Sequence, residues 1–266
     1  MKNKMNIKSR TAVLFLAVAP FAMADFIVTP AGGTSVGLPP DQNAAVTRNL
    51  GGTFSLFGND ITSINIATNG FLATGPLANV SGTFLDRTIT ELTTARGSVI
   101  SPFFDHLSLG AGSSVTDRTT STWYGVTYQG MFGFNDVTAG RTSDFQVILF
   151  FGDKTFGGFN FHAGDIAISY GNLNSTREGT ITVGVGQENG STTGNPASAT
   201  GQLANFNSLP RGSQFLLYRP HNEDGIVYSV SIEDTAVPEP ASLAITGIGL
   251  AALGFFGRRA TRKESR

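Results

Sequence analysis

The 266-residue chain contains no cysteine, so disulfide staples, thiolate nucleophiles and thiolate metal ligands are all excluded. Histidine is scarce, with only His106, His162 and His221. Gly33-Thr34-Ser35-Val36-Gly37 has the Gly-x-Ser-x-Gly spacing, but it falls in a stretch that reads as loop and not at a strand-to-helix elbow. His-x-His, Glu-x-x-His and Asp-x-Asp-x-Asp spacings are also missing, which removes the recognisable zinc and calcium loops. Asn59-Asp60, Asn135-Asp136 and Glu223-Asp224 are left as oxygen donors for calcium, although Asx chemistry in turns explains all three equally well. No cofactor motif is present: Gly184 and Gly186 have no phosphate-loop context. Asp105-His106 is the one adjacent acid–histidine pair, and neighbouring strand positions point to opposite faces. With no nucleophile, base and orienting group in view, and no carboxylate pair singled out for glycoside hydrolysis, the reading is a non-catalytic protein. Asp105 is expected to satisfy backbone groups at a turn or strand end.

Lysine is almost absent from the middle of the chain. Of 18 lysines and arginines, four precede Asp25 and five follow Glu239, leaving 9 in residues 25–237 against 17 acidic residues, a net of −8. Lys154 is the sole lysine among them. An acidic body of this kind argues against nucleic acid or anionic lipid as partners, since both require a basic face.

What the chain does have begins at its ends. Lys2, Lys4, Lys8 and Arg10 precede an apolar stretch, Thr11 to Ala24, ending Ala22-Met23-Ala24 before Asp25. A basic segment, a short apolar core and an Ala-x-Ala end predict a secretory signal peptide over 1–24, cut after Ala24. At the other end, 18 uncharged residues run from Pro240 to Gly257, about the minimum for a membrane-spanning helix, placed at about 241–257. The following Arg258, Arg259, Arg262, Lys263 and Arg266 would stay cytoplasmic, putting the body outside. Pro238-Glu239-Pro240, the short span and the arginine cluster resemble the PEP-CTERM sorting signal, here over 237–266. That resemblance implies recognition and removal by exosortase, an integral-membrane transpeptidase, after a transient membrane anchorage. The alternative is an anchor that stays in place.

Between these ends, 33 glycines and 21 phenylalanines fit many short strands with tight turns and an aromatic core. About two hundred residues can form one β domain without disulfides. In the first stretch only Phe26-Ile27-Val28 reads as an edge strand, with Gly32–Asp41 a loop. Strands are predicted over Thr53–Phe57, Ile61–Ala67, Phe71–Ala73, Ser98–Leu107, Thr122–Tyr128, Asp144–Phe151, Phe159–Ala163, Asp165–Tyr170, Thr180–Gly186, Gln214–Tyr218 and Ile226–Ile232. Pro102 holds its strand at an edge or bulge. Asp144–Phe151 is apolar on both faces, hence central and covered on both sides. Phe159–Ala163 and Asp165–Tyr170 read as a hairpin about Gly164. In Thr180–Gly186, Ile181, Val183 and Val185 point inward and Thr180, Thr182 and Gly184 outward. Ser108–Thr120 and Gln187–Gly201 read as loops, and Gly75–Glu91 as a polar excursion. The pattern predicts an all-β fold, an antiparallel β-sandwich. Trp123, Tyr124 and Tyr128 are candidates for stacking on sugar rings if exposed.

Four segments resemble the nidogen-like (NIDO) domain of extracellular proteins, in that family's order. They are Ile66-Ala67-Thr68-Asn69-Gly70-Phe71, Ser101-Pro102-Phe103-Phe104-Asp105, Phe145-Gln146-Val147-Ile148-Leu149, and Ile168-Ser169-Tyr170-Gly171 with Val183-Gly184-Val185-Gly186. The resemblance covers about Thr53 to Tyr218 and implies extracellular interaction or cell–matrix adhesion. The division is then a signal peptide (1–24), an N-terminal extension (25–52), a nidogen-like domain (53–220), a final strand and linker (221–236) and the sorting signal (237–266). The expected partners are exosortase, transiently, and an extracellular polysaccharide or matrix protein. A hydrolase or lyase acting on exopolysaccharide and a structural matrix protein are the competing readings.

Overall fold

The computed structural model describes residues 26–40, 43–80, 92–93, 96–133, 140–174, 181–188, 192–193, 209–221 and 227–235. The signal peptide with Ala22 and Ala24, the sorting signal with Pro238, Glu239, Pro240, Arg258 and Arg259, and the apolar span 241–257 lie outside the described residues. So do Asn135-Asp136, Glu223-Asp224 and most of 187–201. Among the described residues no helix is long and apolar enough to cross a membrane.

In chain order the strands begin β1 (Thr34–Ser35), β2 (Ala45–Leu56), β3 (Asn59–Ala67) and β4 (Phe71–Ala73), followed by a one-turn helix α1 (Leu77–Val80). Next come β5 (Val99–Phe104), β6 (Leu107–Ser108), β7 (Ser114–Thr119), β8 (Trp123–Gly133) and β9 (Thr142–Phe150). The remainder are β10 (Lys154–Phe156), β11 (Phe159–Phe161), β12 (Ile166–Leu173), β13 (Thr182–Gly186), β14 (Thr192–Thr193), β15 (Gln214–Pro220) and β16 (Tyr228–Asp234). They form a large sheet in the order β1-β7-β8-β9-β12-β15-β16, with β6 beside β8, and a smaller one in the order β14-β13-β5-β4-β3-β2. A separate hairpin pairs β10 with β11. The pairings are antiparallel, as expected.

One apolar cluster joins the two sheets. Ile64, Ile66, Leu72, Ile100, Phe103, Val183 and Val185 of the smaller sheet meet Tyr124, Val126, Val147, Leu149, Ile168, Tyr170 and Tyr218 of the large one. The expectation that β9 is covered on both faces holds: Phe145, Val147 and Leu149 enter this core, while Ile148 and Phe150 enter a second cluster on the outer face with Trp123, Phe161, Phe215 and Leu217. The β10–β11 hairpin covers that face, stacking Phe161 on Phe150 at 4.3 Å. Residues 26–28 do not form the predicted strand. They lie across the same face, where the Gln146 amide accepts from Val28 N (3.1 Å) and donates to Val28 O (2.9 Å).

Three tyrosines of the large sheet tie it to the smaller one. Tyr128 Oη donates to Ala67 O (3.0 Å), Tyr170 Oη to Pro102 O (2.8 Å) and Tyr228 Oη to Ser55 O (3.2 Å). Each bond satisfies a buried hydroxyl that would otherwise lose its water.

Several strand limits differ from expectation. β2 starts at Ala45 rather than Thr53, because its ladder is interrupted between Asn49 and Phe54 and then resumes. Gly51 turns that irregularity at φ +74, with Asn49 Oδ1 accepting its N–H. Ser114–Thr119, expected in a loop, is β7. β11 pairs β10, not β12, so the turn at Gly164 joins two strands without pairing them. Pro102 lies on an internal strand, at the bulge where Phe104 faces Thr182 and Ser101 faces Gly184. Thr182 and Gly184, expected outward, are buried. Within the expected 187–201 loop, Thr192–Thr193 pairs β13. Ile232 shares a face with Tyr228 and Val230 but stands 51% exposed, on the edge strand of the large sheet.

Candidate functional site

The segments singled out by resemblance converge on one corner. Thr68-Asn69-Gly70 links β3 to β4, and the end of β5 locks onto it. Phe103 N donates to Gly70 O (3.3 Å), Asp105 N to Asn69 O (3.3 Å) and Leu107 N to Asn69 Oδ1 (3.1 Å). Gly70 has φ +77, and a Cβ there would lie 2.1 Å from Phe103 O, so the close approach requires glycine. Phe103 stacks on Phe145 at 5.1 Å, which stacks on Tyr128 at 4.5 Å. Asp105 is fully buried and its Oδ1 accepts from His106 N (2.7 Å). The carboxylate thus serves the strand end, the role expected of it.

Two bidentate pairs fix the edges. Arg48 Nε and Nη2 donate to Asp117 Oδ2 and Oδ1 (3.0 and 3.1 Å), and Tyr124 Oη donates to the same carboxylate (3.0 Å). Burial, with the Asp117 charge adding to it, pushes the Tyr124 hydroxyl well above its ordinary value. Buried Asp165 accepts from Arg219 Nε (2.9 Å) and Nη2 (2.6 Å) and from His162 N (2.9 Å). The hydrogen bond to Asp165 raises the Arg219 guanidinium further. This pair fastens β15 to the turn between β11 and β12.

The proposed sugar-stacking trio is not a surface. Tyr124 and Tyr128 are inside the core, and Trp123 is 4% exposed. Trp123 is covered by Arg118, whose guanidinium carbon lies 5.5 Å from the ring centre, and by Phe156 edge-on at 5.8 Å. Above it runs an open groove of about 490 Å³, lined among others by Ile27, Thr29, Arg118, Ser121, Thr122 and Lys154. Arg118 is not legible as a site residue in the sequence, because β7 is polar apart from Val115 and reads as loop. The one available signal at Lys154 was its isolation as the body's sole lysine.

Among the described residues no three His, Asp or Glu side chains gather as metal ligands. Asn59 and Asp60 stand exposed at the β2–β3 turn. His162 is exposed, with Nδ1 3.8 Å from Asp165 Oδ2, and His221 N donates to Val227 O (2.7 Å).

An antiparallel sandwich, its sheets joined by one apolar core and its outer face covered by an aromatic hairpin, defines an all-β module. Residues 21–220 match the family model described as NIDO related, and the chain belongs to that family. Residues 236–263 match the PEP-CTERM protein-sorting motif. That motif marks an exported protein processed by exosortase, with a cell-surface or extracellular destination. Comparison with curated proteins and with solved structures returned no match.

Proposed function

We propose that this chain is a non-catalytic interaction protein of the cell surface or extracellular matrix, its NIDO-related body serving adhesion within a biofilm or exopolysaccharide layer. The carrying observation is the succession of a NIDO-related domain over 21–220 and a sorting motif over 236–263 in one chain. In this reading the signal peptide is cut after Ala24. The span at about 241–257 holds the chain in the membrane until exosortase acts near Pro238-Glu239-Pro240, with Arg258 and Arg259 on the cytoplasmic side. The role of Asp105 at the strand end supports a non-catalytic body. Pulse-labelling in cells with exosortase should show a precursor converted to a smaller mature form. A single band that retains the tail refutes the processing, and a deletion strain with unchanged aggregation, biofilm and polymer retention refutes the adhesive role.

A further inference from the structure

We infer that the groove between residues 27–29, the β7–β8 turn and the β10–β11 hairpin binds a polysaccharide bearing carboxylates, with Arg118 and Lys154 holding successive acidic sugars. This deepens the binding role proposed above and rests on it. The body carries a net of −8, so any positive patch is an exception to its field. Arg48 and Arg219 are neutralised by Asp117 and Asp165. Arg118 and Lys154 are exposed and line one groove, and among the described residues neither pairs with a carboxylate. Arg118 has one hydrogen bond, a long one from Nη1 to Ala31 O at 3.4 Å. Each cation lies over a ring, Arg118 above Trp123 and Lys154 above Phe156 at 5.4 Å, and the two rings touch edge to face. The rings thereby position two charges along a single trough without cancelling them. Asp153, the acidic neighbour of Lys154, does not line this groove; it lines an adjoining hollow with His162, and Lys154 stands between the two.

The rest of the lining fits sugar better than acidic peptide. Thr29, Ser121 and Thr122 supply hydroxyls that both donate and accept, as sugar hydroxyls do. Ile27 and Phe156 offer a modest apolar strip for the C–H face of a pyranose. No deep apolar pocket is present in the groove to anchor a peptide side chain. A trough open to solvent suits a run of polymer rather than an enclosed small molecule.

The test uses processed protein purified from cells that export it, titrated with polygalacturonate, neutral dextran and polyglutamate. Polygalacturonate should bind, more weakly as salt rises, and dextran and polyglutamate should bind at least tenfold more weakly. Arg118→Gln and Lys154→Gln should each weaken polygalacturonate about threefold and the double variant about tenfold, the range of exposed ion pairs. Arg141→Gln, the same charge change outside the groove, should leave it unchanged. Should Arg118→Gln disturb the Trp123 fluorescence, Ser121→Glu supplies an independent test: it places a negative charge on an exposed turn and should weaken binding as much as the double variant. Equal binding by wild type, the double variant and Ser121→Glu overturns the groove while leaving the adhesive role intact. Polyglutamate binding as tightly as polygalacturonate overturns the saccharide class, and dextran binding as tightly overturns the role of charge. Failure to bind any polymer overturns the inference, whereas the adhesive role itself falls only with the deletion phenotype.

Discussion

Alkali should unfold this protein in one abrupt step, and all five tyrosines should ionise in that step. The chain has five tyrosines, and Tyr124, Tyr128, Tyr170, Tyr218 and Tyr228 are all buried. Burial is the leading cause that raises each hydroxyl above its ordinary value near 10. Above pH 10 the unfolded chain therefore holds fewer protons than the folded one, and stability falls as pH rises. It is complete below pH 10 and is lost on the way up to the raised native values. At pH 11 ionisation favours the unfolded chain by about 1.4 kcal/mol per tyrosine, ~7 kcal/mol for the five. That is comparable to the whole stability of an ordinary domain, about 5–15 kcal/mol. Guanidinium groups in general stay charged over this range, so arginine–carboxylate pairs do not contribute to the transition. Absorbance at 295 nm and far-ultraviolet circular dichroism, followed together from pH 8 to 12.5, should change in one coincident transition above pH 10. A phenolate signal that rises near pH 10 with the dichroism unchanged, each exposed ring giving a fifth of the total, refutes the reasoning.

Gly70→Ala should destabilise by about 3 kcal/mol, because an alanine there is strained at positive φ and meets the Phe103 carbonyl; urea denaturation measures it, and a loss below about 1 kcal/mol would mean that the corner is slack. Arg219→Met should cost about 3 kcal/mol by stranding buried Asp165, and Asp165→Asn on that background should recover part of it. Tyr128→Phe should cost about 1 kcal/mol for the lost bond to Ala67 O. Tyr218→Phe should be neutral or stabilising, since the Tyr218 hydroxyl is buried with no hydrogen-bond partner among the described residues. Thermal melts of the two variants side by side decide it, and equal losses would contradict the assignment.

The sequence revealed strands wherever period-two alternation met an apolar environment: Thr122–Tyr128, Asp144–Phe151 and the Ile181, Val183, Val185 face read directly. It concealed them where the physics was tertiary. β7 has only Val115 as an apolar residue, so its strand character comes from pairing with β1 and β8. β2 reads as a strand only from Thr53, yet its ladder starts at Ala45 and a bulge between Asn49 and Phe54 carries it through. Gly164 correctly signalled a turn, but a turn does not name a partner, and Phe159–Phe161 folds back on β10 instead. The Asn69–Asp105 corner was legible as motif pieces, and its interlocking carbonyls were not. The groove was illegible for the same reason: Ile27, Arg118 and Lys154 come from distant segments.

The Tyr228–Ser55 bond joins residues 173 positions apart, so the penultimate stretch of the body fastens its first long strand. Contacts of such separation form late, after loop closure has been overcome. A chain exported amino end first therefore cannot finish closing until residue 228 has emerged, eight positions before the sorting motif begins at 236. Completion of the body and presentation of the motif are thereby brought close together in time.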